Sequence, residues 1–241
     1  MSTTSQAQSL FEHEFGINGG FMQLRSDYGE RFDTETNFGN QGSTFALTYY
    51  LNRASRRRVS YFMEHVKYRI DLIYSNVELQ HYGQWADAPV LEAMTGLFSN
   101  IGLSTGLEYY PLGIRIQAYN QRYSFIENFS PYGGVAVGLN YVTPEAQSSL
   151  PGGLNNPENI FPTFVPQDTD DGLNLDNRAV LSLNLRAGIR YNIGPRDGFM
   201  LESSWMLFGS DLVDGLKPIG PQNKYTDWSW GINIGYTRLL F

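Results

Sequence analysis

Ala179-Val180-Leu181-Ser182-Leu183-Asn184-Leu185-Arg186-Ala187-Gly188-Ile189-Arg190-Tyr191-Asn192-Ile193 is the stretch that decides the fold. Its odd positions read Ala, Leu, Leu, Leu, Ala, Ile, Tyr, Ile, and its even positions after Val180 read Ser, Asn, Arg, Gly, Arg, Asn. A β-strand sends successive side chains to opposite faces, whereas a helix would spread both classes around its circumference. The run is too long for an ordinary strand of about five or six residues. It suits a tilted membrane strand, which needs roughly 9–11 residues.

The same alternation recurs on both sides of this segment. Phe11 to Gln23 sets Phe11, Phe15, Ile17 and Phe21 against Glu12, Glu14, Gly16, Asn18 and Gly20. Thr44–Asn52, Leu97–Tyr109, Pro131–Tyr141, Phe199–Gly209 and Trp228–Tyr236 behave likewise. In Val66–Tyr82 the phase slips near Ile73, which predicts a bulge there. A second break is expected near Thr237 or Arg238, turning Arg238 inward. The outcome is an all-β fold: a closed antiparallel transmembrane β-barrel of about eight strands with long extracellular loops.

Two features favour lipid outside the apolar faces. Tyr49, Tyr50, Tyr109, Tyr110, Tyr191, Trp205, Trp228 and Trp230 lie towards strand ends, as interfacial girdles do. With Phe11 starting at the periplasmic side, the connections 25–42, 83–96, 143–178 and 210–224 fall outside. The shorter 53–62 and 194–198 fall in the periplasm, with 111–129 as a longer periplasmic element. The segment 144–178 reads as one long external loop.

Composition agrees. Aromatics make up 15% of 241 residues, with 25 glycines and no cysteine, a vocabulary of strands and turns that excludes disulfide scaffolds and thiol chemistry. The mean hydropathy of −0.32 is no objection, since inward and outward residues cancel in a barrel. A net charge of −7 argues against a nucleic-acid partner. The short basic cluster of Arg53 and Arg56-Arg57-Arg58 reads as a solvated turn near a membrane surface. Ser5-Gln6-Ala7 before Gln8 resembles the end of a secretory signal, so residues 1–7 are expected to be a signal remnant and 8–241 a single barrel domain.

An eight-stranded barrel is just wide enough for side chains to fill it, so inward charges must pair. The tight turn 194–198 suggests Ile193 opposite Phe199 and hence Arg190 opposite Glu202. A structural lumen network is therefore expected, centred on Arg190–Glu202 and joined by Arg186, Glu108, Glu14 and Glu12. Glu202→Ala is then expected to destabilise the barrel more than Asp170→Ala.

Catalytic signals are absent. His13, His65 and His81 are far apart, and there is neither a G-x-S-x-G elbow nor a phosphate loop. No enzyme activity and no cofactor are expected. Asp168, Asp170 and Asp171 form a weak calcium candidate, with the following glycine one position early for an EF-hand.

Gln23-Leu24-Arg25-Ser26-Asp27-Tyr28-Gly29-Glu30-Arg31, His81-Tyr82-Gly83-Gln84-Trp85 and Glu108-Tyr109-Tyr110-Pro111-Leu112 resemble a family of flavobacterial outer-membrane β-barrels of the Bacteroidetes. So do Thr34–Asn40, Tyr49–Asn52 and Trp205 through Leu216. More loosely, Glu14-Phe15-Gly16-Ile17 and Ser130-Pro131-Tyr132-Gly133-Gly134 are similar to the PorG barrels of the type IX secretion system. That resemblance implies an integral outer-membrane protein serving protein secretion or gliding, in contact with lipid and with a periplasmic lipoprotein ring. It carries over no partner-binding residue. The alternatives are a surface ligand-binding or adhesin-type barrel using the 144–178 loop, and a narrow channel or small-solute transporter.

Overall fold

The computed structural model describes residues 11–29, 33–53, 61–82, 89–114, 128–160, 172–217 and 226–240. Among them eight strands form one closed antiparallel barrel in chain order: β1 (Phe11–Arg25), β2 (Gln41–Arg53), β3 (Val66–Gln80), β4 (Met94–Tyr109), β5 (Phe129–Ser148), β6 (Arg178–Asn192), β7 (Asp197–Phe208) and β8 (Trp228–Leu239). Short helices α1 (Thr34–Gly39), α2 (Tyr61–His65) and α3 (Pro89–Glu92) sit in three connections. Residues 1–10 and Arg56–Arg58 lie outside the described residues, so the signal-remnant and basic-cluster readings are not addressed by the fold.

Following cross-strand partners once around the barrel fixes its shape. Glu14 leads through Tyr50, Arg69, Gly106, Ala136, Asn184, Met206 and Ser229 back to Leu24 on β1, a shear of 24 − 14 = 10 residues. With standard rise and strand spacing, that shear tilts the strands by about 40° from the axis.

The outward face is an apolar belt. Ile17, Val137, Leu181 and Ile234 are each more than 60% exposed. On β1 the outward residues from Phe11 to Phe21 rise about 25 Å along the axis at this tilt, the height of a hydrocarbon-facing band. Every belt residue would be misplaced in water, and the closed ladder leaves no strand edge to solvate in lipid. The chain is an integral outer-membrane β-barrel. Tyr74 and Tyr141 close the belt at the end carrying the longer loops, taken as extracellular, and Tyr49 and Tyr109 at the other. Tyr50 and Tyr110 depart from the expected girdle: both point inward and are 1% exposed.

Neither expected phase break occurs. β3 pairs without interruption from Val66 to Gln80, and Ile73 faces inward between Ala46 and Gly102. The apparent slip arises because Ile73, Val77 and Leu79 are apolar residues on the lumen face. β8 likewise stays in phase, leaving Arg238 on the outside, 3.5 Å from Asp197. The external loop is also shorter than expected, because β5 continues to Ser148. Pro144 is tolerated there since β6 ends its pairing with β5 at Val142–Arg178, so no partner on that side needs the missing N–H.

Candidate functional site

The lumen is stratified. Its periplasmic part holds a charged network, its middle a band of neutral hydrogen-bonding side chains, and its extracellular part an apolar core.

Arg69 is the hub of the charged part. It projects inward from β3, is 2% exposed, and reaches three carboxylates: Nε to Asp71 at 2.8 Å, and Nη1 to Glu108 at 2.6 Å and Glu202 at 2.5 Å. Its cross-strand partner is Gly106, where an added Cβ would collide with the Val135 carbonyl oxygen on β5. Arg186 binds Asp71 at 2.7 Å, and Arg190 binds Glu14 at 2.6 Å and Glu108 at 3.4 Å. Lys67 completes the set with Glu14 at 2.6 Å. Thr48, Tyr110 and Tyr132 donate hydroxyls to Asp71, Glu108 and Glu202. The Arg190 guanidinium lies 4.2 Å from the Tyr50 ring centroid. Among the described residues, four buried cations thus meet four buried carboxylates in this network. Lone pairs left over are taken by hydroxyls, the condition under which buried ions are tolerable.

The residues anticipated from sequence are brought together here, except that Glu12 lies at the half-exposed rim. Their pairing differs from the expected one. Arg190 stands opposite Met200 and Glu202 opposite Gly188, because the β6–β7 turn is centred one residue earlier than expected, with Asn192 paired to Gly198. A displacement of two residues keeps every side chain on its face, so hydropathy is blind to it. Lys67, Arg69 and Asp71 escape the sequence reading because an apparent slip at Ile73 discredits the phase of β3. The usable signal is their strict alternation with Tyr68, Ile70 and Leu72.

Above this lie Thr44 and Ser75 (3.1 Å), Asn140 and Ser182 (2.8 Å) and Asn233 and Ser204 (3.2 Å). Cavities of about 50 Å³ and 40 Å³ flank the charged part, the first opening at the periplasmic mouth. Each is large enough for a few water molecules only.

The extracellular end is closed by an apolar cluster that includes Leu79, Phe98, Val142, Val180 and Phe208. The Phe98 and Phe208 rings meet edge to face at 5.8 Å across the lumen. Val213 and Leu216 enter it from a strap, residues 210–217, whose Gly215 takes a positive φ of 86°. The strap is tied to the end of the β5–β6 connection by the Leu173–Leu216 bridge and the Lys217 N–H to Gly172 bond at 3.0 Å. Asp214, fully buried, accepts from the Asp27 N–H and Leu216 N–H, each at 2.9 Å. Burial, reinforced by Asp211, pushes its carboxyl up to about 6. Across the same rim, His81 accepts from the Gly29 N–H at 3.0 Å and packs on Tyr28, and burial pushes its imidazole down to about 4.

Asp27, Asp211 and Asp227 bring carboxylate oxygens within 4.8 Å of one another at this rim. The weaker calcium candidate from sequence, Asp168, Asp170 and Asp171, lies outside the described residues, as does one arm of the Glu202-against-Asp170 comparison.

No family model matches the chain, and no curated protein does. Among solved structures it is similar to Ail, the attachment invasion locus protein of Yersinia pestis, in complex with a heparin analogue. Identity is 17%, with 94% of this chain and 99% of that one covered at a TM-score of 0.40. Neisserial surface protein A gives 11%, 95%, 97% and 0.42 in the same order. A major outer membrane protein from Thermus thermophilus gives 12%, 96%, 100% and 0.46.

Proposed function

We propose that this chain is a non-enzymatic, non-conducting structural barrel of the outer membrane whose work is done at its two ends, as in the PorG-like assembly role for type IX secretion or gliding. The observation that carries the reading is the filled lumen. Among the described residues, a balanced ion network below and an apolar plug above fill the lumen, and the cavities flanking the ion network hold a few waters each. A channel or solute transporter is therefore disfavoured.

The periplasmic end offers a contact element of its own. Tyr61 and His65 of α2 stack at 3.9 Å, and the Tyr61 hydroxyl meets that of Tyr109 at 2.6 Å. Beside them Phe62 and Leu112 are more than half exposed. Such a shelf supports contact with a periplasmic partner such as a lipoprotein ring.

Purified protein in planar bilayers is expected to be electrically silent, and reproducible single-channel steps would overturn the closed-lumen reading. Crosslinking in cells tests the secretion role separately. Recovery of secretion-ring components supports it, and their consistent absence removes it while leaving the silent barrel intact. The second reading, a surface ligand binder, is favoured by the height to which β3, β4 and β5 stand above the belt.

A further inference from the structure

Three strands continue beyond the extracellular girdle as a sheet with an outward face of its own. The girdle row is Tyr74, Ile101 and Tyr141, side by side on β3, β4 and β5. Above it come Asn76–Ser99–Thr143, then Glu78–Leu97–Glu145, then Gln80–Thr95–Gln147. At the barrel's tilt each row stands about 5 Å higher than the last, so the glutamates lie roughly 10 Å above the tyrosines. Glu78, Gln80, Thr95, Glu145 and Gln147 are exposed, and a recess of about 290 Å³ opens over them.

From this array we infer a docking surface for a cationic, extended polypeptide segment on the extracellular side. Its central row sets one carboxylate on each side of Leu97. Two strand spacings separate their stems, about 10 Å. A lysine or arginine laid across Leu97 packs its aliphatic stem on the leucine while its head is held between the two carboxylates. None of the nine positions is a lysine or arginine, so nothing on the face competes for that charge. Amides and hydroxyls above and below supply hydrogen bonds to the incoming backbone. The platform is rigid: both hairpin ladders are unbroken through these rows. Charge complementarity therefore selects a basic partner and disfavours an anionic polysaccharide or lipid phosphate.

The full chain in zwitterionic nanodiscs, titrated with a fluorescein-labelled (Lys-Ala)4 peptide, tests this. Saturable one-to-one binding that weakens with salt is expected. Glu78→Gln combined with Glu145→Gln should weaken it about tenfold, with heat-modifiable gel migration unchanged to show an intact barrel. Glu158→Gln combined with Asp176→Asn, which removes the same charge from the neighbouring connection, should leave binding as it was. Equal weakening by both pairs would show only the effect of net charge and overturn the site, as would non-saturable binding. If the first pair instead alters magnesium-dependent association with lipopolysaccharide vesicles and not peptide binding, the surface is a lipid contact and the inference fails.

Discussion

Arg69→Met is expected to lower the barrel's stability in detergent by about 3–5 kcal/mol, more than the loss of any other single cation in the lumen. The reason is the number of buried carboxylates that lose a cation contact at once. Asp71, Glu108 and Glu202 each direct an oxygen at this guanidinium within 2.8 Å, and each is at most 2% exposed. Arg186 is already committed to Asp71 and, at 3.9 Å, to Glu202, and Arg190 to Glu14 and Glu108, so neither can take over all three contacts. Lys67→Met is the informative comparison. It removes one contact to Glu14, whose other oxygen Arg190 still holds. Denaturant midpoints followed by tryptophan fluorescence should order as wild type, then Lys67→Met, then Arg69→Met. Adding Glu202→Gln to Arg69→Met should restore part of the loss, because one unpaired charge disappears with it. Equal midpoints for the two single variants would remove Arg69 from the centre of the network.

That centre is hidden in a sequence that otherwise declares its architecture plainly. Period-two alternation is a local property, so seven strands and their facing are legible from residues such as Leu181, Leu183 and Leu185 alone. The departures share one cause. Alternation implies apolar outside and polar inside, but the extracellular part of this lumen is apolar. Ile73, Val77 and Leu79 on β3 then look like a change of face, and Val142 lies beside what reads as a loop. Leu216 and Val213 belong to a segment with no periodicity, and only the closed barrel shows that they complete its core. Register is the other quantity that hydropathy cannot carry. Arg190 and Glu202 keep their inward facing under a shift of two, so only the turn geometry decides whom they meet.

The strap makes a second expectation, in which two buried groups oppose each other. Asp214 holds its proton up to about pH 6 in the folded rim, against an ordinary 3.8. Between those values the folded state binds more proton than the unfolded one, so strap stability falls as pH rises. Above about pH 6 that contribution is lost altogether. His81 runs the other way. Its imidazole, neutral down to about 4 against an ordinary 6.5, withdraws stability as pH falls from 6.5 towards 4. Both side chains secure the same hairpin tip, Asp214 through the Asp27 amide and His81 through the Gly29 amide. The two slopes therefore oppose each other, and hydrogen exchange at these amides, corrected for its intrinsic pH dependence, should give the wild type a shallower change of opening free energy from pH 4 to 6 than either single variant. Asp214→Asn exposes the histidine's contribution, so protection should fall towards acid. His81→Gln exposes the aspartate's, so protection should rise towards acid. A wild type with a steep slope in either direction, or two variants with slopes of the same sign, would show that these groups do not share one opening unit. If the opposite slopes are found, the rim is held by a pair of burial-shifted groups whose proton demands offset each other, and the mouth stays closed across the pH range in which either one alone would loosen it.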